Sequence, residues 1–190
     1  MPEEAVVALA DLWLPVLLSA VAVFIASSVI HMATPMHKRD YKELPGQDGV
    51  LEAMRSAGVK PGAYVFPYAS SMKDMGDPAH IEKQNAGPVG FATILPNGSF
   101  KMGGSLACWF IYSIVIAIFA GYLCTLVVPA GGDYMQVFRI TGTVAILGFC
   151  VPNIENSIWR GVSWAVTGRF MIDGLIYGLL TAGVFGSMWP

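Results

Sequence analysis

Four stretches of the 190-residue chain are almost free of charge, and polar residues collect between them. Leu12 to Ile30 has no charged residue, and neither has Met102 to Gly132. Ile140 to Ile154 is uncharged but short, and reaches spanning length only when Met135 to Arg139 joins it. Phe170 to Pro190 carries Asp173 alone. A helix needs ~20 apolar residues to cross the hydrocarbon of a bilayer. The pattern therefore predicts a membrane all-α protein with four transmembrane helices. A small α+β insertion is expected between helices 1 and 2. Residues 1–33 would hold the N-terminal segment and the first helix, residues 34–101 the insertion, and residues 102–190 the other three helices. Arg139 would sit about one turn inside the third, where a long side chain can reach back to the headgroups.

The insertion has a pattern of its own. It holds Pro35, Pro45, Pro61, Pro67, Pro78, Pro88 and Pro96, which excludes long helices. One short helix is expected, capped by Asp48, with Val50, Leu51 and Met54 as its apolar stripe and Gly58 as its stop. Ala63 to Phe66 and Gly90 to Leu95 read as strands. Asn97-Gly98 is a hairpin signal, so Ser99 to Met102 is expected to pair back on the second strand. Ser70 to Gly87 is polar and reads as irregular. A soluble core this small is marginal alone, so packing on the membrane face or on a partner is expected.

Composition agrees with a membrane protein. Hydrophobic residues make up 55% and charged residues 13%, against about 25% charged in soluble domains. The mean hydropathy is +0.58. Charge then sets the orientation. Of the eleven lysines and arginines, all but Arg139 fall in the insertion or between the third and fourth spans. Pro129 to Tyr134 has Asp133 and no base. Basic loops stay in the cytoplasm, so both termini are expected in the periplasm and residues 34–101 inside. Glu3 and Glu4 stand where a secretory signal would carry basic residues, so the first span reads as a retained anchor. Acidic residues interleave with the basic ones in the insertion, so no nucleic-acid partner is expected.

Two local patterns concern packing. Residues 154–167 place Ile158, Trp159, Val162 and Trp164 among Glu155, Asn156, Ser157 and Arg160, which suits an amphipathic helix lying in the inner interface. The last span contains Gly174, Gly178, Gly183 and Gly186. Small residues spaced by four let helix backbones approach closely, so these four are expected at a helix-packing face. Hydroxyls inside the spans, such as Ser19, Ser113, Thr141 and Thr181, are expected to bond to helix carbonyls.

Chemistry-bearing residues are few. His31-Met32-Ala33-Thr34-Pro35-Met36-His37 combines imidazoles and thioethers, donors that a soft ion such as Cu(I) accepts. Pro35 interrupts the helix, however, so neither the two histidines nor the two methionines are expected on one face. His31, Met36 and His37 are the candidate metal ligands, but the stretch reads as a juxtamembrane turn. None of the three histidines lies near mid-span, so a membrane haem is not expected. Cys108, Cys124 and Cys150 form no close-spaced pair and read as small buried hydrophobes. Asp173 is the lone acid in a span, a functional signal by default. Arg169 stands four residues before it, so a structural Arg169–Asp173 ion pair is expected. No phosphate loop, nucleophile elbow or zinc-protease motif is present.

Several stretches carry a resemblance. They are Met36 to Asp40 followed by Leu44-Pro45, Lys60 to Pro67, Ser71 to Met75, Gly87 to Gly90, and Asp173 to Tyr177 with the ending Trp189-Pro190. Together, over roughly residues 31–190, they resemble a family of small bacterial polytopic inner-membrane proteins known mainly as hypothetical proteins. The resemblance implies a bacterial cytoplasmic membrane and no chemistry.

The expected function is therefore non-catalytic: an accessory or scaffold subunit acting through helix packing and its cytoplasmic face. Its partners would be the lipid bilayer and another membrane protein or a second copy, with no cofactor. A small transporter or permease component is the second expectation, and a copper-handling protein the third.

Overall fold

The computed structural model describes residues 6–99 and 101–190. Glu3 and Glu4 lie outside the described residues, as does Phe100 within the expected Ser99–Met102 strand. The chain divides into two units, one made of residues up to 40 together with 101–190, the other of residues 41–100.

The first unit is built on four helices long and apolar enough to cross a membrane, of 25, 24, 27 and 25 residues. Helix α1 is Trp13–Ala33, preceded by a 3-10 turn over Leu9–Leu12. Next in the chain come α2 (Gln47–Ser56), α3 (Met72–Met75) and α4 (Pro78–Ala86), which belong to the second unit. Helix α5 is Met102–Thr125 and α6 is Tyr134–Phe149. A 3-10 turn at Val151–Asn153 and the short α7, Ile154–Arg160, extend α6 past Pro152. Helix α8 is Trp164–Met188. Side chains start two of these helices by taking free backbone N–H groups. Asp133 accepts from the Gln136 amide at 3.1 Å, and Ser163 from that of Val166 at 3.3 Å.

The four long helices pack in a ring, α1 on α5 and α8, α6 on α5 and α8, with α6 and α8 sharing the most extensive contact. Glycine explains that contact. A Cβ on Gly174 would lie 2.6 Å from the backbone of Phe149 and Cys150, and one on Gly178 would strike Ile146. Gly186 meets the Tyr134 ring at 2.7 Å, and Gly142 on α6 meets Ala182 at 3.0 Å. Gly183 differs from the expectation for it, because nothing lies within 4 Å of its Cβ position. It sits off the α6-facing stripe.

Two apolar clusters fill the ring. One gathers Leu12, Val16, Val128, Val137 and Phe185; the other Val23, Ile30, Ala145, Phe149 and Tyr177. Buried hydroxyls bond to helix carbonyls one turn back. Ser19 donates to Pro15 at 2.8 Å, Thr141 to Val137 at 2.8 Å and Thr181 to Tyr177 at 3.0 Å.

The expected interfacial helix over 154–167 is corrected. Only Ile154–Arg160 forms α7, and Gly161 ends it in the left-handed region at φ +68°. Ser163 then caps a new helix, so Trp164 belongs to α8. A left-handed glycine followed by a good cap outweighs the continuous amphipathic pattern.

The second unit contains α2 (Gln47–Ser56), β1 (Gly62–Phe66), α3 (Met72–Met75), α4 (Pro78–Ala86) and β2 (Gly90–Ile94). The strands pair antiparallel, Gly62 opposite Ile94 and Phe66 opposite Gly90. This replaces the expected local hairpin: β2 pairs with β1, and Met102 already begins the long apolar run of α5. Gly46 in the left-handed region, rather than Asp48, precedes α2. The stretch 70–87, expected to be irregular, forms two short helices. Ser71 accepts from the Asp74 amide at 3.1 Å, and Asp77 from that of Ala79 at 2.8 Å. Pro78 opens α4, where its missing N–H costs nothing.

Candidate functional site

The polar centre of the helical unit is assembled by the turn that ends α1. Thr34 donates its hydroxyl to the Ile30 carbonyl at 2.6 Å and accepts from the Met36 amide at 3.3 Å. The Lys38 amide then reaches the Pro35 carbonyl at 3.2 Å, and the Asp40 amide that of His37 at 3.1 Å. The chain doubles back. His37 thereby comes to lie with its ring centroid 4.3 Å from that of His31. Pro35, expected to separate the two histidines, starts the turn that joins them.

His37 is held by its Nδ1, which lies 2.5 Å from Asp40 Oδ2. Asp40 is held in turn by Arg169, whose Nε donates to Oδ1 at 2.7 Å and whose Nη2 lies 2.6 Å from the same oxygen. The Asp40 side chain is only 2% exposed. Burial opposes its ionisation, but hydrogen bonds from His37 and Arg169 outweigh that and hold its carboxyl below the ordinary carboxylate range. With Nδ1 committed to a carboxylate, the other ring nitrogen of His37 is the free one.

That nitrogen faces Asp173. His37 Nε2 lies 2.9 Å from Asp173 Oδ2, and the Asp173 side chain is 2% exposed. The contact is close without having hydrogen-bond direction: His37 Nε2 and both Asp173 oxygens are buried with no hydrogen-bond partner. The expected Arg169–Asp173 pair is corrected here. Arg169 is drawn to Asp40, 129 residues away in sequence, and Asp173 meets His37 instead. Residues four apart on a helix are neighbours, but a long arginine at the helix end can turn outward to a buried carboxylate that offers two contacts.

His31, His37 and Asp173 each present one ligand atom, and all three atoms lie within 4.8 Å of one another. The set differs from the soft one read from the sequence, because Asp173 replaces Met36. The Met36 side chain packs against the apolar cluster around Phe149 and Tyr177. Phe170 shields the pair of rings, with its centroid 5.0 Å from that of His37.

A cavity of about 520 Å³ adjoins this cluster, lined by residues of α1, α5, α8 and the α6 end, with His31 and Asp173 among them. Its walls are largely aromatic. Trp109, Tyr112, Phe149 and Tyr177 pack in edge and tilted pairs with centroids 5.7 to 5.9 Å apart. Their polar tips are partly used up within the walls. The Trp109 indole donates to Ser27 at 3.0 Å, and the Tyr112 hydroxyl to the Gly148 carbonyl at 2.7 Å. What remains is mainly apolar surface, with His31, Asp173, Ser105 and Asn153 among its polar members.

Sequence reasoning singled out His31, His37, Arg169 and Asp173, and the structure gathers all four in one place. It passed over Asp40, which reads as one more loop charge, and over the aromatic wall. The signal available for the wall was Trp109 and Tyr112 on one face of α5. No family model, curated protein or solved structure matches the chain.

Proposed function

We propose that the chain is a multi-pass protein of the bacterial cytoplasmic membrane that acts as a non-catalytic binding subunit for a small amphipathic molecule. The four long apolar helices support the membrane setting. The distribution of basic residues supports both termini in the periplasm and residues 34–101 in the cytoplasm. A cysteine placed at Gly131 should then react with an impermeant reagent in intact spheroplasts, and one placed at Ser71 should not. The reverse pattern overturns the orientation.

The observation that carries the binding role is the aromatic cavity ending at His31 and Asp173. Ligand sites typically enclose ~300–1,000 Å³, mostly apolar with a few convergent polar groups, and this cavity has that make-up. An apolar body would lie against Trp109, Phe149 and Tyr177, with a polar head at the His31 and Asp173 end. Holding such a molecule is compatible with an accessory role in a larger assembly, because it requires no chemistry.

The test is chemical extraction of protein purified gently from its native membrane, followed by mass spectrometry of what is released. One amphipathic species near one per chain is expected. A Ser105→Trp variant, which fills the cavity from its wall, should lose that species while keeping its melting temperature. If wild type releases nothing near stoichiometry, or if Ser105→Trp releases the same amount, the binding reading fails.

A further inference from the structure

We propose that His31, His37 and Asp173 form a binding site for one divalent transition-metal ion of the zinc or iron(II) type. The inference goes beyond the cavity reading and does not rest on it. Three observations carry it.

The donor set comes first. Two imidazoles and one carboxylate, from the last turn of α1, the turn after it and α8, bring three ligand atoms within 4.8 Å of each other. Bonds of about 2.0–2.1 Å in a tetrahedral site put ligand atoms ~3.3 Å apart. The His37–Asp173 edge, at 2.9 Å, is slightly shorter than this. The remaining edges are no longer than 4.8 Å, within about 1.5 Å of that geometry.

The second observation is the state of the ligand atoms. Asp173 is buried, and neither of its oxygens has a hydrogen-bond partner. A buried carboxylate whose close contact, to His37, lacks hydrogen-bond direction is costly. Arg169, the nearest cation on its own helix, is spent on Asp40. The groups facing Asp173 are His37 and His31, and beyond them Asp40. A divalent ion would satisfy Asp173 and His37 Nε2 together.

The third is the outer layer. Metal-bound histidines usually donate their second N–H to a carboxylate, which fixes the tautomer and raises ligand basicity. Asp40 does this for His37, and Arg169 orients Asp40. Asp40 is therefore a positioning residue for the site. Nitrogen and oxygen donors without sulfur favour zinc or iron(II) over Cu(I). His31 and Asp173 also line the cavity, so a fourth coordination position could face it.

The test uses the full chain in detergent without a polyhistidine tag. The probe is Zn²⁺, measured by equilibrium dialysis with elemental analysis, and Co²⁺ as a spectroscopic substitute. Wild type should bind one Zn²⁺ per chain, and Co²⁺ should give visible ligand-field bands. His31→Ala, whose ring is at the surface of the unit, and Asp173→Asn should each weaken zinc binding at least tenfold. Asp40→Asn should weaken it about 10–100-fold and shift the cobalt bands. His80→Ala, in the other unit, should change nothing. Melting of each variant in chelator, compared with wild type in chelator, separates lost ligation from lost folding. Asp173→Asn should change that metal-free melting temperature little, because the carboxylate it removes makes no hydrogen bond and meets only the His37 ring at 2.9 Å. Wild type that binds well under one zinc per chain at saturation overturns the proposal, as does unchanged affinity in both His31→Ala and Asp173→Asn. Ser105→Trp should keep its zinc, so failure of the cavity reading and failure of the metal site are told apart.

Discussion

Residues 6–40 and 101–190 bury side chains as large as Phe185, Leu12 and Val23, whereas none of the described residues 41–99 is buried. Both regions contain helices, and both have side-chain caps. The difference lies in what the elements have to pack against. In the helical unit, glycine on α8 meets the backbone of the α6 end, and every long helix has two neighbours. In the insertion, two five-residue strands and three short helices hold together by ladder bonds and caps. Tyr64, Val65, Phe66 and Phe91 stay 38–60% exposed. Capping and turn chemistry are enough to shape short elements, but only a second apolar surface gives them a core.

The sharpest way to break the comparison is to add the same bulk in both regions. Gly174→Leu should be the most damaging change, since its Cβ already collides with backbone that cannot rotate away. Overpacking costs ~1–3 kcal/mol where side chains can yield, so at least the upper end is expected, read as a lowered melting temperature in detergent. Gly178→Leu should follow, because Ile146 can give a little. Gly183→Leu, pointing at open space, should be close to neutral. If all three melt alike, the packing of α6 on α8 is not what holds the helical unit.

Charge offers the next contrast. Arg169→Ala removes one of the two partners of a carboxylate 2% exposed, leaving His37, and should cost about 1.5–3 kcal/mol. Arg55→Ala breaks a pair with Glu52 whose side chains are 64% and 66% exposed. That loss should stay below about 1 kcal/mol. Equal effects in a chemical-denaturation series would mean that Asp40 is hydrated in solution.

Hydrogen exchange sharpens the same comparison without mutation. Amides of α6 and α8 should be the slowest in the chain, and those of α2, α3 and α4 should exchange through local opening well before them. Slow exchange throughout 41–99 would indicate that this unit gains a covering partner. The smallest effect is expected from Gly49→Ala, which replaces glycine inside α2 with nothing within 4 Å. It should raise the local helix stability by ~0.5–1 kcal/mol and leave the melting of the helical unit unchanged.

Much of this molecule is legible in its residue pattern. Uncharged length fixed the number of long helices, because an apolar stretch of that size has few other folds open to it. Glycine spacing pointed to α8 as a packing helix, because small residues four apart fall on one helix face. Short-range rules failed where two of them competed. Proline at 78 reads as a breaker in a polar stretch but serves as a first-turn residue once Asp77 caps the helix. Trp164 continues an amphipathic pattern, yet Gly161 and Ser163 restart the chain before it.

The site was decided by tertiary structure. Nothing in the spacing of His31 and His37 says that a proline turn folds one ring onto the other. Nothing near Asp173 in sequence says that Arg169 will prefer Asp40. Ion pairing goes to whichever partner offers the better-directed contacts in a dry place, and that depends on which helices are neighbours. The aromatic wall is likewise a product of assembly, since Trp109, Phe149 and Tyr177 come from three different helices. Sequence alone determined where apolar helices form, because that depends on residues adjacent along the chain. Which polar groups meet inside them depends on residues brought together only by packing.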